Sequence, residues 1–250
     1  FSFLLYSNPG SGSRKDGAYF LPFYAGLLFL VHPVATQAVT YISQRSTSLA
    51  TLFYMATMVF YASARKPDAK GRKGFIFLAA AFLTGSAAMF TKEIAVTLPV
   101  SIFLYEMFFV AKNDEKKRLV ILPFLLLIFV IPFVIERDNF FNIFKIGNIF
   151  FRSDNVAPMV YFFTQLKVIW TYVRLAFFPV NQNVDYDIEP ASFNDPGVIV
   201  STLFLSAIVI GLFMIRKKSR ILTFSVIWFF LGIAPQSSFF ALSDFIFEHR

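Results

Sequence analysis

Long apolar runs separated by short polar clusters organise this chain. Residues 48–64, 74–90, 94–110, 119–135, 198–215 and 221–234 are dominated by Phe, Leu, Ile, Val and Ala. Each approaches the ~20 residues that an α-helix needs to cross a hydrocarbon layer of about 30 Å. A seventh run, 18–31, is shorter. The runs are continuous rather than alternating, which predicts helices and disfavours a β-barrel, whose strands alternate apolar and polar positions. The long polar connections are 136–158 and 179–197. The pattern predicts an all-α, polytopic membrane protein of about seven crossings, built as a single transmembrane domain over 1–250.

The positions of Lys and Arg orient these runs. Arg14 and Lys15 form one cluster. Arg65, Lys66, Lys70, Arg72 and Lys73 form a second. Lys112, Lys116, Lys117 and Arg118 form a third, and Arg216, Lys217, Lys218 and Arg220 a fourth. These four loops hold fifteen of the 23 basic residues but only four of the 15 acids, a net +11 where the whole chain carries +8. They are expected on the cytoplasmic side, so the basic charge reads as loop bias and not as a nucleic-acid surface. Residues 159–178 break the alternation. They are apolar but carry Gln165, Lys167 and Arg174, and the acidic 185–195 loop follows. A simple crossing would place that loop inside and the 216–220 cluster outside. The expectation is a re-entrant or interfacial segment on the outer face.

Composition sharpens this picture. The chain is 57% hydrophobic and 15% charged, against about 45–50% and 25% for soluble domains. Cys is absent, which removes disulfides, thiolate metal sites and Cys nucleophiles. The chain begins at Phe1 and stops at Arg250 within a continuing segment, so it is expected to be a piece of a longer protein.

With this topology the polar residues that are hardest to explain collect at the outer face. Arg45 sits beside Ser46–Ser48, residues suited to capping the next helix. A cation there opposes both the helix dipole and the positive-inside bias, so a phosphate is a natural counterion. Lys92 and Glu93 form the tip of an outer hairpin, as an ordinary ion pair or as part of a site. His32 precedes Pro33, where it either ends a helix or donates to a substrate. Asp185 and Asp187 flank Tyr186 in a loop rich in Pro and Asn, and Glu248, His249 and Arg250 close the chain. Lys167 and Arg174, seven apart on one helix face, suit either a snorkelling stripe or contact with lipid phosphate. Glu106 lies near a cytoplasmic helix end, where a carboxylate is expensive unless paired, so a structural partner is expected. No phosphate-binding Gly loop, HExxH zinc motif or nucleophile elbow is present.

The string His32-Pro33-Val34-Ala35-Thr36-Gln37-Ala38-Val39-Thr40-Tyr41-Ile42-Ser43-Gln44-Arg45 resembles the membrane half of the transmembrane and tetratricopeptide-repeat O-mannosyltransferases and of their bacterial relatives. Ser48-Leu49-Ala50-Thr51-Leu52-Phe53-Tyr54, Lys92-Glu93-Ile94-Ala95-Val96-Thr97-Leu98-Pro99, Tyr172-Val173-Arg174-Leu175 and Phe247-Glu248-His249-Arg250 follow in order. The resemblance implies a GT-C-like glycosyltransferase core in a bacterial inner membrane, moving sugar from a polyprenyl-phosphate donor to a hydroxyl of a protein or glycan, with its site on the outer face. It makes His32, Arg45, Lys92, Arg174, Tyr186 and Arg250 candidates for substrate binding. Asp185, Glu93 and Glu248 become candidates for the catalytic acids or for holding a divalent cation, the one cofactor the set suits. Gln37 stands where the animal members carry Glu. The family's acidic first outer loop would precede Phe1 and its repeats would follow Arg250, so this piece alone is expected to be inactive. The competing expectation is a non-enzymatic membrane protein, either a transporter or an anchor for a repeat domain.

Overall fold

The computed structural model describes residues 17–36, 40–66, 68–69, 71–110, 158–180 and 190–234. The described residues are helical, with no strand among them. The helices are α1 (Gly17–Val31), α2 (Arg45–Ala64), α3 (Arg72–Thr91), α4 (Leu98–Tyr105), α5 (Pro158–Phe177), α6 (Pro196–Ile215) and α7 (Arg220–Ile233). Of these, α2, α3 and α6 are long and apolar enough to cross a membrane. The expected run 119–135 and the acidic triplet Asp185, Tyr186 and Asp187 lie outside the described residues, as do Glu248, His249 and Arg250.

Helices α2 and α3 form an antiparallel hairpin and pack along most of their length. Their contact faces are small: Ala50, Thr57 and Ala62 on α2 are buried, as are Ala81, Gly85 and Ala88 on α3. In lipid the hydrophobic effect does not draw helices together, and small residues let backbones approach closely enough for dispersion to do so. The hydroxyls of Thr57 and Thr84 meet across this seam at 2.8 Å. The turn between the helices closes at Gly71, whose φ of +61° a side chain would disfavour. At Gly74 an added Cβ would stand 2.5 Å from the Ala69 carbonyl oxygen, so the turn can fold back only over a glycine.

The run 94–110 is one helical rod of changing pitch, not the single α-helix expected. A 3-10 turn, Glu93–Thr97, leads into α4, and a π-turn, Glu106–Val110, follows it. Pro99 has no N–H to offer Ala95, so an α-helical ladder begun at Glu93 would be broken in its second turn. Leu98, Ile102 and Tyr105 of this rod pack into the hairpin core with Tyr61, Ala88 and Met89. Helix α7 closes the group through Phe224 and Trp228. Trp228 meets the Tyr54 ring edge-on at 5.8 Å, and Phe224 lies 5.2 Å from Phe109.

The segment expected to be re-entrant or interfacial is one unbroken 20-residue helix, α5. It lacks the reversal that a re-entrant segment requires. Residues 190–195 return to the middle of this helix, not to its end. The Ala191 N–H donates to Thr164 Oγ1 at 2.9 Å, and Lys167 Nζ pairs with Asp195 Oδ2 at 2.9 Å. Asp195 also caps α6 through Gly197 N–H. Helix α6 therefore starts beside the midpoint of α5, and further along the pair the Trp170 and Phe204 rings meet at 4.2 Å, tilted by 59°. Along α6, Val200, Leu203, Ile210, Phe213 and Met214 are exposed. So wide an apolar face suits lipid far better than water, and the helices fit an integral membrane protein.

Candidate functional site

The α2–α3 hairpin carries a polar cluster at each end. At the end holding the α2 C-terminus, the Arg65 guanidinium forms two hydrogen bonds with the Glu106 carboxylate, through Nε at 3.2 Å and through Nη2. These side chains are 9% and 3% exposed. Glu106 begins the π-turn, and Tyr61 and Tyr105 pack edge to face beside it. The structural partner expected for Glu106 is thus present. It comes from the basic 65–73 cluster, which the sequence marks only as a topology signal.

At the opposite end α2 begins one turn earlier than the serines suggest. The 3-10 turn Ile42–Gln44 runs straight into it, so Gln44 is the N-cap and Arg45 the first helical residue. Gln44 makes no capping bond to the backbone. Its amide oxygen instead accepts the Thr47 hydroxyl at 2.8 Å. Lys92, which ends α3 and donates its N–H to Ala88 O, reaches across so that its Nζ donates to Thr47 Oγ1 at 2.5 Å. Gln44 and Thr47 are both buried. Deeper along α2, the Tyr54 hydroxyl meets Thr97 Oγ1 of the 3-10 turn at 3.2 Å and also Ser101 Oγ of α4.

The candidate residues divide as follows. Lys92 and Arg45 share this end of the hairpin but not a face. Arg45 is exposed, whereas Thr47, two positions on, is buried against Lys92, and residues two apart leave a helix on opposite sides. His32 acts locally, its Nδ1 accepting the Val34 N–H at 3.3 Å to cap the 3-10 turn Pro33–Ala35. Glu93 opens the turn Glu93–Thr97, directly after Lys92. Arg174 sits half-buried in the last turn of α5, where the dipole favours a cation. Lys167 is tied to Asp195 instead of joining Arg174 in one stripe. The Lys167 ammonium, aided by the Gly197 N–H, holds the Asp195 carboxyl below the usual carboxylate range. Asp185, Tyr186, Glu248 and Arg250 lie outside the described residues, and among those described no cluster of acids and histidines is suited to a metal ion.

An ammonium seated on a buried hydroxyl at one end of a membrane hairpin is suited to an anionic group at the membrane surface. The chain is similar to a protein O-mannosyl-transferase. That protein, from Caenorhabditis elegans, is 25% identical over 239 residues, covering 92% of this chain. The chain spans 32% of the length of that relative. No family model matches the chain, and no solved structure matches it.

Sequence reasoning passed over Gln44 and Thr47 as contributors. The signal available was their spacing of three at a helix start, which puts both on the face that α3 and Lys92 approach.

Proposed function

We propose that this chain is the membrane core of a GT-C-like glycosyltransferase that moves a sugar from a polyprenyl-phosphate donor to a hydroxyl acceptor, with Ser or Thr of a protein as the favoured class. The similarity to an O-mannosyl-transferase across nearly the whole chain carries this reading. The contact of Lys92 with Thr47 supports the placement of the donor phosphate.

In this reading the acceptor oxygen attacks the anomeric carbon, the bond from that carbon to the phosphate oxygen breaks, and the acceptor proton passes to a carboxylate. Charge develops on the departing lipid phosphate. A cation already fixed where that charge appears stabilises the transition state without reorganising. Lys92 takes this role, and Arg45 and Arg250 add to the field at the same face. Glu93, Asp185 and Glu248 are the candidates for the base or for a divalent cation. His32, Arg174 and Tyr186 contribute to donor or acceptor binding. The seven-crossing topology, with the site on the outer face of a bacterial inner membrane, belongs to the same proposal.

The test uses the full-length protein in proteoliposomes supplied with polyprenyl-phosphate mannose and a Ser/Thr-rich peptide. Lys92→Met is expected to lower transfer roughly 10²-fold, the scale of losing one transition-state donor. Arg45→Ala is expected to lower it as well. Undiminished transfer in both variants would remove Lys92 and Arg45 from the donor site, and no transfer by the unaltered protein would favour a non-enzymatic anchor.

A further inference from the structure

Two basic turns that lie far apart in sequence meet at one end of the described helices. Tyr54 stands midway along α2 and Tyr61 in its last turn. Helix α7 packs on them in the reverse order. Trp228 meets Tyr54, while Phe224, one turn nearer the start of α7, joins the core that holds Tyr61 and Tyr105 and packs on Phe108 and Phe109 of the π-turn. Helix α7 therefore runs antiparallel to α2. Its first residue, Arg220, stands one turn beyond Phe224, at the end where α2 stops and α3 starts. Only residues 216–219 separate α6 from α7, so the end of α6 is there as well.

The surface formed in this way carries one sign of charge. Arg72 and Lys73 open α3, and Arg216, Lys217, Lys218 and Arg220 line the α6–α7 turn. All six are exposed, and Asp68 is the one exposed acid at this end among the described residues. Glu106 is buried and already bonded to Arg65. None of the six forms an ion pair among the described residues. Cations gathered on one face repel one another, and the potential they create draws anions from outside the chain.

The neighbours of these cations narrow down the anion. Phe75 and Ile76 follow Arg72 and Lys73 within a turn and are exposed, as are Phe213, Met214 and Leu222 beside the second turn. Arg216 lays its guanidinium over the Phe213 ring, 4.9 Å from the centroid. A cation rising from an apolar surface in this way keeps its stem among hydrocarbon and its head in the polar layer. A partner that answers both halves has an anionic head group and acyl chains. A soluble anion would leave the phenylalanines uncovered.

We propose that this face is a docking surface for acidic phospholipids, whose phosphates are held by the α2–α3 and α6–α7 turns while their chains cover the apolar residues beside them. The surface lies at the end of the hairpin opposite Lys92, so the proposal stands independently of the donor site and holds for a transferase or an anchor alike.

The test uses full-length protein purified from mixed micelles with equal parts of phosphatidylglycerol and phosphatidylcholine, the retained lipids being counted by mass spectrometry. Phosphatidylglycerol is expected in roughly 10-fold excess or more, and the excess is expected to shrink in about 0.5 M salt, which screens exposed charges. Arg72→Gln with Lys73→Gln, and separately Lys217→Gln with Lys218→Gln, are each expected to cut the excess roughly 5-fold, the factor for about one fully effective basic residue near an acidic surface. A single cysteine at position 68, labelled from one side of a sealed vesicle, reports whether each variant keeps its orientation. If one pair fails to fold or inserts the other way round, the other pair decides by the same count. Equal retention of the two lipids by the unaltered protein, or an excess that neither pair lowers, would overturn the proposal. Displacement of phosphatidylglycerol by glycerol phosphate would show a site for a soluble anion and overturn the lipid class.

Discussion

The two ends of the α2–α3 hairpin use charge in opposite ways. At one end a guanidinium and a carboxylate are buried together and bonded twice, so the cluster is closed on itself. At the other an ammonium rests on a hydroxyl, which rests on an amide. The first arrangement spends both charges on each other. The second fixes the position of a cation through a buried hydroxyl that an amide oxygen accepts from. The first is a fastening between helices, and the second is the end at which we propose the donor phosphate binds.

Stability should break the comparison most sharply. Glu106→Ala leaves the Arg65 guanidinium buried without its carboxylate, and is expected to cost about 3–5 kcal/mol, measured by unfolding in mixed micelles. Replacing both partners by Arg65→Met and Glu106→Leu together is expected to recover most of that loss, because apolar residues of similar volume often substitute well for buried pairs. At the opposite end Lys92→Met is expected to change stability by no more than about 1 kcal/mol, while transfer falls roughly 10²-fold. A Lys92 variant as unstable as Glu106→Ala would make both ends fastenings.

Geometry sharpens it next. Single cysteines at positions 46 and 68 of this Cys-free chain should label from opposite sides of a sealed vesicle. Labelling from one side would place both clusters at the same face and end the distinction between them.

The smallest effect belongs to Lys167 and Asp195. The Asp195 carboxyl titrates below its ordinary value, so the pair adds stability that is complete above a pH of about 4. That stability is lost as the pH falls through the lowered value. Both side chains are 30% exposed, and such pairs contribute little. Asp195→Asn should flatten the acid limb of the unfolding profile slightly and leave neutral stability almost unchanged. An identical acid limb in the variant would show that the pair does not hold α5 to α6.

Much of the helical framework was legible because apolar runs the length of a bilayer have few other uses. Glu106 was legible as a paired residue, since an isolated carboxylate is too expensive at that depth. Its partner was not, because Arg65 sits among five basic residues that all read as loop bias. Lys92 stood out as a cation at a hairpin tip. Thr47 did not, because a Thr in the first turn of a helix is ordinary and its role depends on a side chain arriving from α3. The Lys167–Asp195 contact spans 28 residues and depends on the chain returning to the middle of α5, a path that no local pattern encodes. Arg45 was read from its neighbours in sequence. Its face was decided by where α2 begins, at Arg45 itself, one residue before the serines.

The equal length of α2 and α3 gives membrane thickness a direct mechanical meaning here. Each has 20 residues and so measures about 30 Å, close to the depth of a bilayer's hydrocarbon. The seam of small residues makes the two a single strut with little capacity to slide. A thicker membrane would therefore have to bury one of the two polar clusters, at a cost of fractions of a kcal/mol per ångström of mismatch. The Arg65–Glu106 pair is already buried, so such immersion alters the end that holds Lys92 more. Lipid chain length thus becomes an adjustable setting on how far Lys92 stands clear of the hydrocarbon.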